Sequence, residues 1–128
     1  MVSELPRALV RHLENNHGLS ALLVSRIYPL ELPQEPVLPA MTYQQVSGQG
    51  QADHTGETGY HLYRYQFDVF APTYLALVDI ANALKLALQQ WHYANNRYAS
   101  FYENEQDFSE PEQNRYRRTL DYMIEEEA

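Results

Sequence analysis

Histidine, lysine and paired carboxylates are the residue types through which this chain could do chemistry. The five histidines are His12, His17, His54, His61 and His92. A metal site needs such ligands grouped at fixed spacing with a carboxylate near them. No close pair of that kind occurs; His12 and His17 are five positions apart, which turns them to different helix faces. His54 falls in a glycine-rich stretch, and His61 falls in a strand, where it packs on the sheet. There is no cysteine, which excludes disulfides, thiolate nucleophiles and Cys-based zinc or iron–sulfur sites. The single lysine, Lys85, lies on a helix, and Gly-x-x-x-x-Gly-Lys-Ser/Thr is absent, so no phosphate-cradling loop exists. Gly48-x-Gly50 lacks the third glycine and the helix of a dinucleotide fingerprint. There is no Gly-x-Ser-x-Gly elbow. Ser47 and His54 share a stretch too polar to hold a triad rigidly. Asp107 and Glu110 are close in sequence, but a solvated acidic loop gives neither a reason for a shifted pKa. These residues predict no enzyme, no metal and no cofactor.

Charge and aromatic content are more informative. The formal net charge is -8. Six of those eight excess negative charges lie from Glu103 onward, where nine acidic residues face only Arg115, Arg117 and Arg118. Nucleic acid would need a basic patch to neutralise phosphates, so tight binding is not expected, although such a chain can surround DNA without holding it. There are 11 Tyr against 4 Phe and 1 Trp, and tyrosine suits half-buried sheet faces and protein interfaces. Arg115-Tyr116-Arg117-Arg118 is the one basic cluster with an interleaved aromatic. By strand alternation Arg115 and Arg117 share a face with Thr119 and Asp121. That face is either a solvated one balanced by nearby Glu or a stripe that pairs with acidic residues of a neighbouring copy. The candidate interface residues are Arg26, Tyr28 and Glu31 in an extended segment, Gln49, His54 and Glu57 in the glycine-rich stretch, and Arg64, Arg115 and Arg117 on strands.

The elements that position these residues follow from periodicity. Ser3 caps a first helix with Leu5, Leu9, Val10 and Leu13 on one face, stopped at Asn15-Asn16-His17-Gly18. Leu19 to Ser25 is apolar and short, and reads equally as a helical turn or a strand start. Arg26 to Pro36 carries three prolines and is extended, at a sheet edge. Pro39 opens a strand, Ala40 to Val46. Ser47 to Gly59 holds four of the five glycines and reads as a long mobile hairpin loop. Tyr60 to Phe70 alternates, with His61, Tyr63, Tyr65, Phe67 and Val69 facing one way and Leu62, Arg64, Gln66 and Asp68 the other. Thr73 caps a second helix whose stripe is Leu77, Ile80, Ala81, Leu84, Leu88 and Trp91, ending near Tyr93 to Asn96. Two strands follow, Tyr98 to Glu103 and Arg115 to Ile124, around an acidic loop from Asn104 to Gln113. In the second of them Arg118 interrupts the apolar face and snorkels to its edge.

The expected fold is α+β: a mostly antiparallel four-stranded sheet, two helices packed on one face, and a long Gly-rich hairpin loop. It forms one domain over 1–128, with a flexible loop at 47–59 and a frayed acidic tail at 125–128. The start lacks the basic stretch and apolar run of a signal peptide, and no apolar run approaches the roughly 20 residues of a membrane span.

In that order of elements the chain resembles the tail completion, or tail terminator (head–tail joining), proteins of long-tailed bacteriophages. The resemblance rests on Leu22 to Gln34 (LLVSRIYPLELPQ), Pro39 to Gly50 (PAMTYQQVSGQG) and Tyr65 to Leu88 (YQFDVFAPTYLALVDIANALKLAL), with Asp107, Tyr116 and Leu120-Asp121 fitting the closing strands. The acidic stretches 103–112 and 125–128 depart from the family pattern. The resemblance implies a virion protein of the tail and neck, assembled in the host bacterial cytoplasm. It implies a ring, usually a hexamer, that stops growth of the tail tube. Its partners would be copies of itself, the tail tube protein and a head–neck connector protein, with DNA passing through the lumen unbound. The alternatives are another ring of the same virion, such as a tube or head–neck connector subunit, and a small ligand-binding α+β domain, which would need a pocket with convergent polar groups.

Overall fold

The strand that alternates most cleanly in the sequence lies at the centre of the sheet. The computed structural model describes residues 3–53 and 56–127. Five strands, β1 (Ile27–Pro29), β2 (Ala40–Asp53), β3 (Gly56–Ala71), β4 (Tyr98–Glu110) and β5 (Arg115–Glu127), form one sheet in the order β1-β2-β3-β5-β4. Pairing is antiparallel throughout except for β1, which runs parallel to β2. Three helices are described, α1 (Leu5–Asn15), α2 (His17–Leu23) and α3 (Tyr74–Ala94).

The register explains the two faces. Tyr63, Tyr65 and Phe67 of β3 stand opposite Ile124, Tyr122 and Leu120 of β5, and opposite Gly48, Gln45 and Tyr43 of β2. This face carries the helices. α3 places Leu77, Ile80, Ala81, Leu84, Ala87, Leu88 and Trp91 against it, and α1 adds Leu5, Leu9 and Leu13. Each large apolar side chain so buried contributes about 1.5–3 kcal/mol. Directional bonds lock the helices together: His12 Nε2 lies 2.7 Å from the Ala87 carbonyl, and Asn16 Nδ2 donates to Gln90 Oε1 at 2.9 Å. Thr73 caps α3 as its type predicts, accepting from the Ala76 N–H.

The architecture departs from expectation in several places. The sheet has five strands, because the proline-bearing edge segment makes a short parallel ladder through Ile27 to Pro29, with the proline, which has no N–H to donate, as its last residue. There are three helices, because Leu19 to Leu23 continues as α2. Gly18 lies inside that helix; Asn16 does the capping, accepting from the Leu19 N–H. The expected loop 47–59 is largely ladder. β2 runs on to Asp53 and β3 starts at Gly56, with irregularities at Gln45/Ser47 and Gly50/Ala52. The physical reason lies in the partner strand: a Cβ on Gly50 would meet His61 Nδ1 at 2.9 Å, and one on Gly48 would meet the Tyr63 ring at 3.0 Å. Bare backbone there gives these rings a surface to lie on.

The acidic loop 104–113 is also mostly strand. β4 continues to Glu110, and only Pro111–Gln113 turns, closed by Asn114 in the left-handed conformation. The tail expected to fray is paired as well. β5 reaches Glu127, and the Glu126 side chain is fully buried, accepting from Ser3 Oγ at 2.8 Å with Arg97 Nη2 3.5 Å away.

Candidate functional site

The face of the sheet away from the helices carries most of the interface candidates. Tyr28 pairs with Thr42, Gln49 with Leu62, and Arg64 with Ser47 and Met123, all out of phase with the buried Phe67 row. Arg115 and Arg117 share this face. Among the described residues, three of the candidates meet in one place. Glu31, Arg115 and Arg117 line a groove of about 360 Å³ together with Thr42, Asp68, Phe70 and Glu110, under the loop Leu30 to Pro36. Arg115 Nε donates to Glu110 Oε1 at 2.7 Å, and Arg117 Nε lies 3.5 Å from Glu110 Oε2. Each guanidinium also sits over a ring, Arg115 over Phe70 at 4.7 Å and Arg117 over Phe108 at 4.5 Å. One glutamate thus serves both arginines, and Arg117 Nε is buried without a hydrogen bond.

Of the other described candidates, Tyr28 stands opposite the groove's Thr42 on the neighbouring strand, and Arg26 and Arg64 do not line the groove. Arg26 ties the ends of the proline-rich segment together, donating from Nε to the Pro39 carbonyl at 2.7 Å while its own carbonyl accepts from Met41. Arg64 pairs with Glu103 at 2.6 Å, both substantially exposed; it is six residues from Phe70, roughly 20 Å along the strand. Glu57 stands opposite Ala52 on the backbone ladder. His54 lies outside the described residues.

On the helix-covered face, at its β4 margin, lies a network that sequence reading missed. Arg118 is buried and holds Asp107 in a two-point bond, Nε to Oδ1 at 2.5 Å and Nη2 to Oδ2 at 3.0 Å. Tyr74 Oη donates to Asp107 Oδ2 at 2.8 Å. Lys85 pairs with Glu105 at 2.8 Å. The Arg118 bond holds the Asp107 carboxyl below the usual carboxylate range, against the opposing effect of burial. So Asp107 is not an unperturbed loop carboxylate, and Arg118 does not snorkel to water: β4 continues far enough to set Asp107 directly opposite it. The cluster pairs its charges among themselves, with Glu105 Oε2 buried and without a hydrogen bond. Among the described residues, no three His, Cys, Asp or Glu side chains are placed to hold a metal ion, and no helix is long and apolar enough to cross a membrane.

A second missed feature is an aromatic cleft of about 570 Å³ between α3 and the edge strand β4. It is lined by Lys85, His92, Tyr93, Phe101, Tyr102 and Tyr122, among others. His92 Nδ1 accepts from the Ser100 N–H at 3.0 Å, fixing the ring that meets Phe101 edge-on at 5.4 Å. Lys85 Nζ lies 5.1 Å from the Tyr102 ring centre. A signal for it existed: Lys85, Gln89, His92 and Tyr93 are spaced i, i+4, i+7 and i+8 and so share one face of α3.

No curated protein sequence matches the chain. Among solved structures, a chain in the virion of a native gene transfer agent (GTA) particle is similar in fold, with a TM-score of 0.68 at 14% identity, covering 92% of this chain and 90% of that one. The family model described as tail completion protein gp17 matches residues 7–126. That span includes all five strands to within one residue of the last, all but the first two residues of the helical layer, and every interface candidate, and it shows that the chain belongs to the tail completion protein gp17 family.

Proposed function

We propose that this protein is a structural, non-catalytic component of the virion tail and neck, forming a ring, hexameric by resemblance, that caps the tail tube and joins it to the head. The observation that carries the reading is the family match over residues 7–126. The geometry is compatible with it. One sheet face is occupied by helices and the other is open and polar, with ionic groups already paired, which is a surface for assembly more than for turnover. The two sheet edges differ, β1 short and proline-flanked, β4 thirteen residues long and aromatic, and a head-to-tail ring needs two unlike patches on each subunit. The partners in this reading are neighbouring copies, the tail tube protein on one side and a head–neck connector protein on the other. With a net charge of -8, DNA would pass a lumen of this protein without adhering.

The test is deletion of the gene from its phage, with electron microscopy of the products. Tails of uncontrolled length and heads without tails are expected. Normal-length tails joined to heads would end the terminator reading. Native mass spectrometry over a concentration series, with and without purified tail tubes, reads the ring size directly.

A further inference from the structure

The aromatic cleft flanks β4 and the proline-rich loop follows β1, the two edge strands of the order β1-β2-β3-β5-β4, and the loop reaches over the open face to the groove of Arg115, Arg117 and Glu110. Loop and cleft each carry apolar side chains turned to water. On the loop Leu30 is 70% and Val37 65% exposed; at the cleft Tyr93 is 78% and Tyr102 50% exposed. Exposed apolar side chains gathered on one surface feature are the usual mark of a contact site.

We propose that the cleft between α3 and β4 receives the loop of residues 30–37 from a neighbouring copy, so that the subunit contact runs from one sheet edge to the other. This rests on the ring reading above. Three observations favour a second copy as the occupant. First, patches flanking different edge strands cannot satisfy each other within one chain, and joining them between chains gives the head-to-tail contact from which rings are built. Second, the chemistries match. Pro33 and Pro36 bring no N–H, so burying the loop against rings strands few donors, and proline-bearing segments are recognised by aromatic-lined grooves. A cleft of about 570 Å³ is of the size that seats a few such side chains. Third, the charges have opposite sign. The loop brings Glu35, which is exposed and does not line the Arg115–Arg117 groove as Glu31 does, to a cleft whose cationic side chain is Lys85, ion-paired with Glu105 at 2.8 Å and partly exposed. The contact would also cover the unpaired outer edge of β4, which otherwise invites uncontrolled strand pairing.

The absence of native cysteine makes the test direct. A chain carrying both Val37→Cys and Tyr93→Cys is oxidised in its assembled form and run on a non-reducing gel, beside each single variant. Both positions are exposed, and melting temperatures matching the parent confirm the fold. The expected result is a ladder of covalent oligomers ending at the ring size, with neither single variant passing dimer. In parallel, Tyr93→Glu raises the concentration needed for assembly at least tenfold. If rings form by native mass spectrometry but the double variant cross-links no better than the singles, the contact is wrong and the ring reading survives. Efficient dimers from Tyr93→Cys alone would mean that clefts face each other, and cross-linking of Tyr93→Cys to tube protein would make that protein the occupant; either overturns the proposal. A monomer at every concentration, with and without tail tubes, sinks the ring reading and this contact together.

Discussion

The Arg118–Asp107 pair can be weighed by a double-mutant cycle. The perturbation is Asp107→Asn, which keeps the shape and removes the charge. Arg118 has only 11% of its side chain exposed, whereas Asp107 has 37%, so the pair sits between two known regimes. Breaking a fully buried pair costs about 3–5 kcal/mol, and exposed pairs are worth about 0.2–1 kcal/mol. Arg118 would keep Tyr74 Oη at 3.2 Å and Glu105 at 3.9 Å, which softens the loss. The expected cost is therefore about 2 kcal/mol, a fall in Tm of about 7 °C for a domain of this length. Arg118→Met should cost less, about 1 kcal/mol, because the freed carboxylate can turn to water while the new side chain joins the apolar surroundings. The double variant should then be about 1–2 kcal/mol more stable than the sum of the singles predicts. Urea titrations of the four proteins at pH 7 give all the terms. The pH dependence supplies a second check. The folded-state pKa of Asp107 is lowered, so its stabilisation is fully present above the unfolded-state value of about 4 and is lost as pH falls through the lowered folded value. The gap between parent and Asp107→Asn should close progressively below about pH 4. Additive single effects, or a gap that persists in acid, would show that the pair is a solvated contact and that the reasoning is wrong.

Two further outcomes follow from the sheet's two faces. Phe67→Ala should cost about 3–5 kcal/mol, because the ring is fully buried between Tyr65 and Tyr122, while Arg64→Ala should change stability by under about 0.5 kcal/mol; equal shifts in a denaturant titration would contradict the face assignment. Burial pushes the Tyr65 phenol up to about 12 and raises Tyr122 as well. A tyrosine with a raised folded-state pKa stabilises the fold below the unfolded value of about 10 and loses that contribution as pH rises through the folded one. Absorbance at 295 nm should show a late alkaline phase that coincides with loss of near-ultraviolet circular dichroism. A single wave near pH 10 with the fold intact would refute the burial argument.

Much of the helical layer and the two central strands was legible because periodicity is a local property. The Leu77 to Trp91 stripe and the Tyr63, Tyr65, Phe67 row each announce a buried face, and every one of these side chains but the partly buried Tyr63 is buried. The family resemblance was legible for the same reason, through short strings that keep their order along the chain. The glycine-rich stretch was misread because glycine lowers strand propensity on its own, and its partner rings, His61 and Tyr63, are more than ten residues away. The closing acidic segments were misread in a similar way: Glu, Asp and Asn argue for solvent until Arg118, Arg97 and Ser3 are brought to them.

The sequence by itself determined the class of protein: an α+β chain without cysteine, strongly acidic, without a catalytic motif, and patterned like a tail completion protein. It also determined which residues of α3 and β3 face the core, since a period of 3.6 or 2 is written in neighbouring positions. Only the tertiary structure decided which charges are satisfied and which apolar groups are left in water. Asp107 meets Arg118 through an antiparallel register, and Glu110 is shared by two arginines on the next strand. The loop after β1 and the cleft beside β4 come to flank the two different edge strands through strand order. Pairing register and strand order are long-range properties, set by the sum of many weak contacts across the sheet, and no local window of sequence contains them.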